Sequence, residues 1–184
     1  MWNPFTRLFI AAEYYLFGFN AGLFHLVSLA LHFCSGLAIA RICRCLGGTV
    51  LTANIVAALF CLHPMNVESV LWASEQKGLL SNLAILLTII AWENLSLKKT
   101  LSAAVTVVLA GLIAYLSKPS SLVLPLLLVI WELAKNGRSA PSLLVQCRIK
   151  WVCLLALGLG AIGCGAAGLW SEGSGGATNV EASA

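Results

Sequence analysis

Aspartate is missing from this sequence altogether, and charge of either sign is scarce. All seven acids are Glu, and charged residues make up 10% of the chain, where a soluble domain carries about a quarter. Set beside 60% hydrophobic residues over 184 positions and a mean hydropathy of +0.93, that scarcity excludes an ordinary water-soluble globule. Any carboxylate chemistry rests on Glu alone. The opening Met-Trp-Asn-Pro-Phe-Thr-Arg lacks the basic start, apolar run and small-residue cleavage site of a signal peptide, so nothing is expected to be removed. Among the seven cysteines there is no Cys-x-x-Cys; Cys43 and Cys45 are one residue apart and no second pair completes a zinc site. Cys34, Cys61, Cys153 and Cys164 fall inside apolar segments, and all seven read as small hydrophobes rather than a disulfide framework. No basic face accompanies the net charge of +4. The cations come in short clusters between apolar segments, which excludes a nucleic-acid partner. No 34-residue helical repeat is present.

What the chain has instead is apolar segments from end to end. Their recurrence predicts an all-α, polytopic transmembrane helical bundle with a short interfacial outer helix. The expected spans number about six, at 22–41, 50–62, 79–97, 101–117, 121–134 and 151–170. Residues 1–170 form the membrane-embedded core and the Gly/Ser-rich 171–184 a flexible polar tail. Arg41, Arg44, Lys98, Lys99, Lys135, Arg138, Arg148 and Lys150 fall on one side, and Arg7, Lys77 and Lys118 on the other. That bias marks the first side as cytoplasmic. Trp92, Trp131 and Trp151 at the inner ends, with Trp72 and Trp170 near the outer ends, fit interfacial belts. The amphipathic 1–19, carrying Arg7 and Glu13, then lies outside with no preceding span to carry it across, so the chain is expected to be truncated at its start.

The outer side is the polar one. After Pro64 a short helix is expected, on which Glu68, Trp72 and Glu75, spaced i, i+4, i+7, share a face while Lys77 points elsewhere and Gly78 turns into the next span. Lys118 stands isolated between two apolar runs, either snorkelling to the interface or meeting a phosphate head group. His63 reads as a helix-end residue or a base, and His25 with His32 as a polar seam on one helix face. Gly158-Leu-Gly-Ala-Ile-Gly163 matches a dinucleotide fingerprint in letters only; it follows no strand, and close helix packing by small residues explains it better. No metal site is indicated.

The stretch 57–87, with His63-Pro64-Met65-Asn66-Val67-Glu68-Ser69-Val70-Leu71-Trp72 at its centre, resembles the outer-loop signature of GT-C superfamily membrane glycosyltransferases. The members it resembles are those related to the transmembrane-and-tetratricopeptide-repeat O-mannosyltransferases and their bacterial relatives. Their pattern HPxxxExVxWxxxRxDxLS maps onto His63, Pro64, Glu68, Val70, Trp72 and Ser81. Two further blocks are similar to the family: Asn3-Pro4-Phe5-Thr6 through Glu13-Tyr14, Phe17-Gly18, Asn20 and Phe24-His25-Leu26 with His32, and Leu116-Ser117-Lys118-Pro119 leading to Pro125. Where the family has Arg before the opening Pro this chain has Asn3, and where it has Arg-x-Asp it has Gln76 and Gly78. The family's catalytic Asp and its tetratricopeptide array have no counterpart here. The resemblance implies transfer of a sugar from a polyprenyl-phosphate donor to a protein or glycan acceptor hydroxyl on the outer or luminal side. It makes Lys118 the phosphate ligand with Lys77 or Arg7 assisting, Glu68 the catalytic-site candidate that orients donor or acceptor with His63, the family's base lying upstream of this chain, and Trp72 and Glu75 part of the binding site. No cofactor beyond the lipid-linked sugar is implied, and the membrane is a bacterial inner membrane or the endoplasmic reticulum. The alternative is a non-enzymatic polytopic protein that binds or scaffolds the lipid carrier.

Overall fold

The structure, a computed structural model, describes residues 3–98, 100–136 and 148–177, and every regular element among them is helical. Lys99, Arg138 and Cys147 lie outside them. Helix α1 (Pro4–Phe17) starts with Pro at its first position, where no backbone donor is lost, and stops at Gly18, whose φ of 60° is open to glycine. Helix α2 (Ala21–Cys45) is capped by the Asn20 side chain, which accepts from the Gly22 and Leu23 amides. Helix α3 (Val50–Leu62) is capped by Thr49 and ends where His63 precedes Pro64. The one-turn α4 (Val67–Leu71) leads through Ala73–Glu75 into α5 (Gln76–Lys98). Helix α6 (Leu101–Ser117) is capped by Thr100; a 3-10 turn at Pro119–Val123 then opens α7 (Leu124–Asn136), and α8 is Arg148–Ala177.

The long helices alternate in direction. Gln76, first in α5, hydrogen-bonds Phe24 and Ser28 near the start of α2. Lys118, just past the end of α6, lies against Glu75 and Gly78 at the start of α5. Cys153 near the start of α8 donates to the Ala104 carbonyl near the start of α6, and Trp92 late in α5 donates to Glu132 late in α7. One end of the bundle, termed outer after the expected sidedness, therefore gathers α1, the 62–76 connection and Lys118, and the opposite, inner end gathers the α2–α3 turn with the ends of α5 and α7 and the starts of α6 and α8. The core is Trp92, Leu95, Val107, Tyr115, Leu124, Leu128 and Leu157, from α5 to α8. Small residues let the helices approach: a Cβ on Gly111 would collide with Leu157, and one on Gly36 with Cys61.

Polarity is inverted relative to a soluble protein. Ser28, His32, Ser35, Thr88, Glu93, Glu132 and Lys150 are buried, while Leu26, Phe33, Leu37, Leu109, Leu155, Leu159 and Ile162 are exposed. Three helices are long and apolar enough to cross a membrane, Ala21–Cys45, Ala73–Leu97 and Arg148–Trp170. A fourth qualifies if Val50–Leu62 and Pro64–Leu71, bent by 50°, count as one. This is fewer than the six spans expected. The shortfall is one of length: α7 has 13 residues and rises about 20 Å, against a hydrocarbon core of roughly 30 Å.

Three other expectations are corrected. The interfacial helix does not carry Glu68, Trp72 and Glu75 on one face, because Trp72 adopts an extended backbone (φ −91°, ψ 114°) that separates α4 from the turn at Ala73–Glu75. Gly78 is not a turn but lies inside α5. Trp92 and Trp131 are buried in the bundle, not placed in an interfacial belt. At the end of the chain α8 continues to Ala177, and residues 178–184 of the expected tail lie outside the described residues.

Candidate functional site

Helix α1 lies across the outer end, held by polar side chains on its inward side. Thr6 Oγ1 donates to the Ser117 carbonyl at 3.1 Å, the residue before Lys118. Glu13, only 4% exposed, accepts at 3.3 Å from Gln76 Nε2, which also reaches the Phe24 carbonyl and Ser28 Oγ. Gln76 is fully buried, and its Oε1 and Glu13 Oε2 have no partner among the described residues. Burial raises the Glu13 carboxyl above its ordinary value, against the smaller lowering effect of the Gln76 bond. An apolar stretch with one glutamine at its start gives little sign of this network. Gln76 drew notice only as a departure from the family pattern.

Three of the expected site residues come together. Lys77 Nζ is 3.2 Å from Glu75 Oε1, and Lys118 Nζ is 4.0 Å from Glu75 Oε2. Gly78 leaves the space between them open, since a Cβ there would stand 3.6 Å from both Glu75 Oε2 and Lys118 Nζ. At 4.0 Å the second pair is beyond hydrogen-bond reach. With side chains about a third exposed, such pairs are worth roughly 0–1 kcal/mol. The cluster therefore contributes little to the fold, and an incoming anion can compete with Glu75 for both lysines at small cost.

Arg7 lies next to Thr6 on α1 and lines a cleft of about 670 Å³ with Ile10, Tyr14, Phe24, His25 and Ala73. The cleft is apolar over most of its wall, and Ala73 brings it within two residues of Glu75. Tyr14 and Phe19 pack edge to face, centroids 4.7 Å apart, at its rim. No family model matches the chain, and no curated protein or solved structure is significantly similar to it.

The remaining expected residues are placed apart. Glu68 is exposed on α4 and pairs with neither lysine among the described residues, and Trp72 is 61% exposed beside the break. His63 caps the turn after α3, its Nδ1 accepting from the Met65 amide, and borders a separate hollow with His32, Asn66 and Val70. His32 contacts the Cys61 carbonyl at 3.3 Å and stacks on Phe60, so it packs α2 on α3, whereas His25 turns to the Arg7 cleft.

The inner end carries a second polar cluster, built from residues that stand far apart in the sequence. Trp92 Nε1 donates to Glu132 Oε2 at 2.9 Å, and Trp131 Nε1 to Glu93 Oε2 at 3.4 Å, so two Trp-Glu dipeptides on α5 and α7 satisfy each other reciprocally. Lys150 is buried, bonds both Glu132 oxygens at 2.8 Å and stands 5.1 Å above the Trp92 ring. Lys135 pairs with Glu93. The repeated Trp-Glu was the available signal.

Proposed function

We propose that this chain is the carrier-holding core of a GT-C-type membrane glycosyltransferase, binding a polyprenyl-phosphate-linked sugar at its outer end. The observation that carries this reading is Lys77 and Lys118, from different helical segments, sharing the single carboxylate of Glu75 beside an apolar cleft. A lipid phosphate needs cations at a polar rim and an apolar channel for its chain, and the two lie next to each other here. Lys118 and Lys77 are the phosphate ligands, with Arg7 at the mouth of the cleft. The isoprenoid runs along Ile10, Tyr14 and Phe24. The exposed apolar faces and buried polar groups support a multi-pass course in which all six helices from α2 to α8, α4 excepted, cross the bilayer, the short ones supported by neighbours. The membrane is a bacterial inner membrane or that of the endoplasmic reticulum.

One observation favours the second reading, carrier binding without transfer. Glu75 is engaged by both lysines, and Glu68 and Glu13 are elsewhere, so among the described residues the lysine cluster has no spare carboxylate to deprotonate an acceptor. Binding of radiolabelled polyprenyl phosphate to the chain in nanodiscs tests the shared step. Lys118→Ala should weaken it several-fold with membrane insertion intact, and Glu75→Gln, which removes the competing carboxylate, should strengthen it. Unchanged binding in both variants contradicts the site. Sugar transfer to an acceptor hydroxyl by the wild-type chain then separates enzyme from binder.

A further inference from the structure

At the inner end, away from Lys118, α2 turns into α3 through a tight connection with a cavity beside it. The Gly48 amide bonds the Cys43 carbonyl at 3.0 Å and the Gly47 amide the Arg44 carbonyl at 3.1 Å. This pairing closes a helix C-terminus with Gly47 at φ 90°. Gly48 is required too, since a Cβ there would stand 2.8 Å from Cys43 Sγ and 2.9 Å from its carbonyl oxygen. The turn holds Arg41 and Arg44 on the last turns of α2 beside the first turn of α3. Between them lies a cavity of about 460 Å³ lined by Ala40, Arg41, Arg44, Cys45, Val50 and Asn54.

Both arginines are exposed, and neither is ion-paired with an acid among the described residues. That sets them apart from Lys135 and Lys150 at the same end, which are each held by a glutamate. The positive end of the α3 dipole adds to the same field, and the Asn54 side chain offers a neutral hydrogen-bonding group. Leu46, Val50 and Leu51 are all more than half exposed around the cavity, so its rim suits an amphiphile better than a free anion.

We propose that this cavity binds the head group of an anionic phospholipid of the inner leaflet, its phosphate between Arg41 and Arg44 and its acyl chains along Leu46, Val50 and Leu51. The site goes beyond the carrier-binding reading and shares with it only the membrane setting. Paired guanidinium groups suit phosphate through parallel N–H donors, and basic recesses at the cytoplasmic ends of membrane helices attract anionic lipid.

The test uses the purified full chain in detergent, with lipid retention read by native mass spectrometry. Wild type should retain phosphatidylglycerol and not phosphatidylcholine. The double variant Arg41→Gln/Arg44→Gln should lower phosphatidylglycerol retention by about tenfold or more. Asn54→Asp, which places a carboxylate in the cavity without touching either arginine, should also lower it. Arg148→Gln, removing one exposed charge at the same end but outside the cavity, should leave it unchanged. Equal losses for Arg41→Gln and Arg148→Gln would mean unspecific surface charge and overturn the proposal. Displacement of the lipid by an equal concentration of free glycerol phosphate would make the ligand a soluble phosphate and overturn it as well.

Discussion

Glu13 shows how much of this protein's order depends on single polar side chains inside an apolar chain. Its carboxyl is buried against Gln76, with one oxygen on each residue left without a partner among the described residues, and a proton on Glu13 removes the buried charge. Because burial raises the folded-state value, the folded chain binds this proton more tightly than the unfolded one. Docking of α1 should be fully stabilised below the ordinary carboxylate range and weaken as pH rises through the raised value of Glu13. Limited proteolysis across pH should find α1 better protected in acid, and Glu13→Gln should abolish that dependence. At the opposite end, Glu132 and Lys150 form a buried pair completed by Trp92. Lys150→Met removes the cation that bonds both Glu132 oxygens and should cost about 3–5 kcal/mol. In detergent melts, Lys150→Met/Glu132→Gln should recover much of the loss. Neither partner was legible in the sequence. Lys150 was counted as a topology charge, and the pairing of positions as distant as Glu93 and Trp131 depends on packing that no local pattern encodes.

Helix ends were the most readable elements. Asn20, Thr49 and Thr100 cap helices that begin where the apolar segments begin, and His63-Pro64 stops α3 because the residue before proline avoids helical backbone. The break at Trp72 was not readable. Glu68 to Glu75 has helical spacing and no Gly or Pro, and the extended Trp72 arises where the chain must turn from α4 toward the start of α5. This is why Lys118, Lys77 and Glu75 share a site from which Glu68 is absent. Close packing gives the element-scale prediction. Gly111→Ala drives a methyl into the buried Leu157 between α6 and α8 and should cost about 1–3 kcal/mol in thermal stability, whereas Gly158→Ala, with open space around it, should cost far less.

For the whole molecule, composition was decisive: scarce charge and recurrent apolar segments announced a helical bundle with an apolar exterior, as the exposed Leu and Ile side chains of α2 and α8 bear out. The number of crossings was less legible, since the 13-residue α7 and the bent α3–α4 pair lie at the limit of what spans a bilayer alone. Single cysteines at Ser74 and Leu97 in a cysteine-free chain, both at exposed positions, should label from opposite sides of a sealed vesicle. Labelling from one side would contradict the alternating course.

The proposed site puts a lipid phosphate between Lys77 and Lys118 with its chain in the Arg7 cleft. A polyprenyl phosphate carrying a photoreactive group on its first isoprene unit tests this most directly when it is cross-linked in nanodiscs and mapped by peptide mass spectrometry. Adducts are expected on α1 around Ile10 and Tyr14, on the start of α2 around Phe24, and at Ala73, all lining one cleft, with loss of those adducts in Lys118→Ala. Adducts spread along the exposed faces of α2 and α8, indifferent to Lys118, would contradict it.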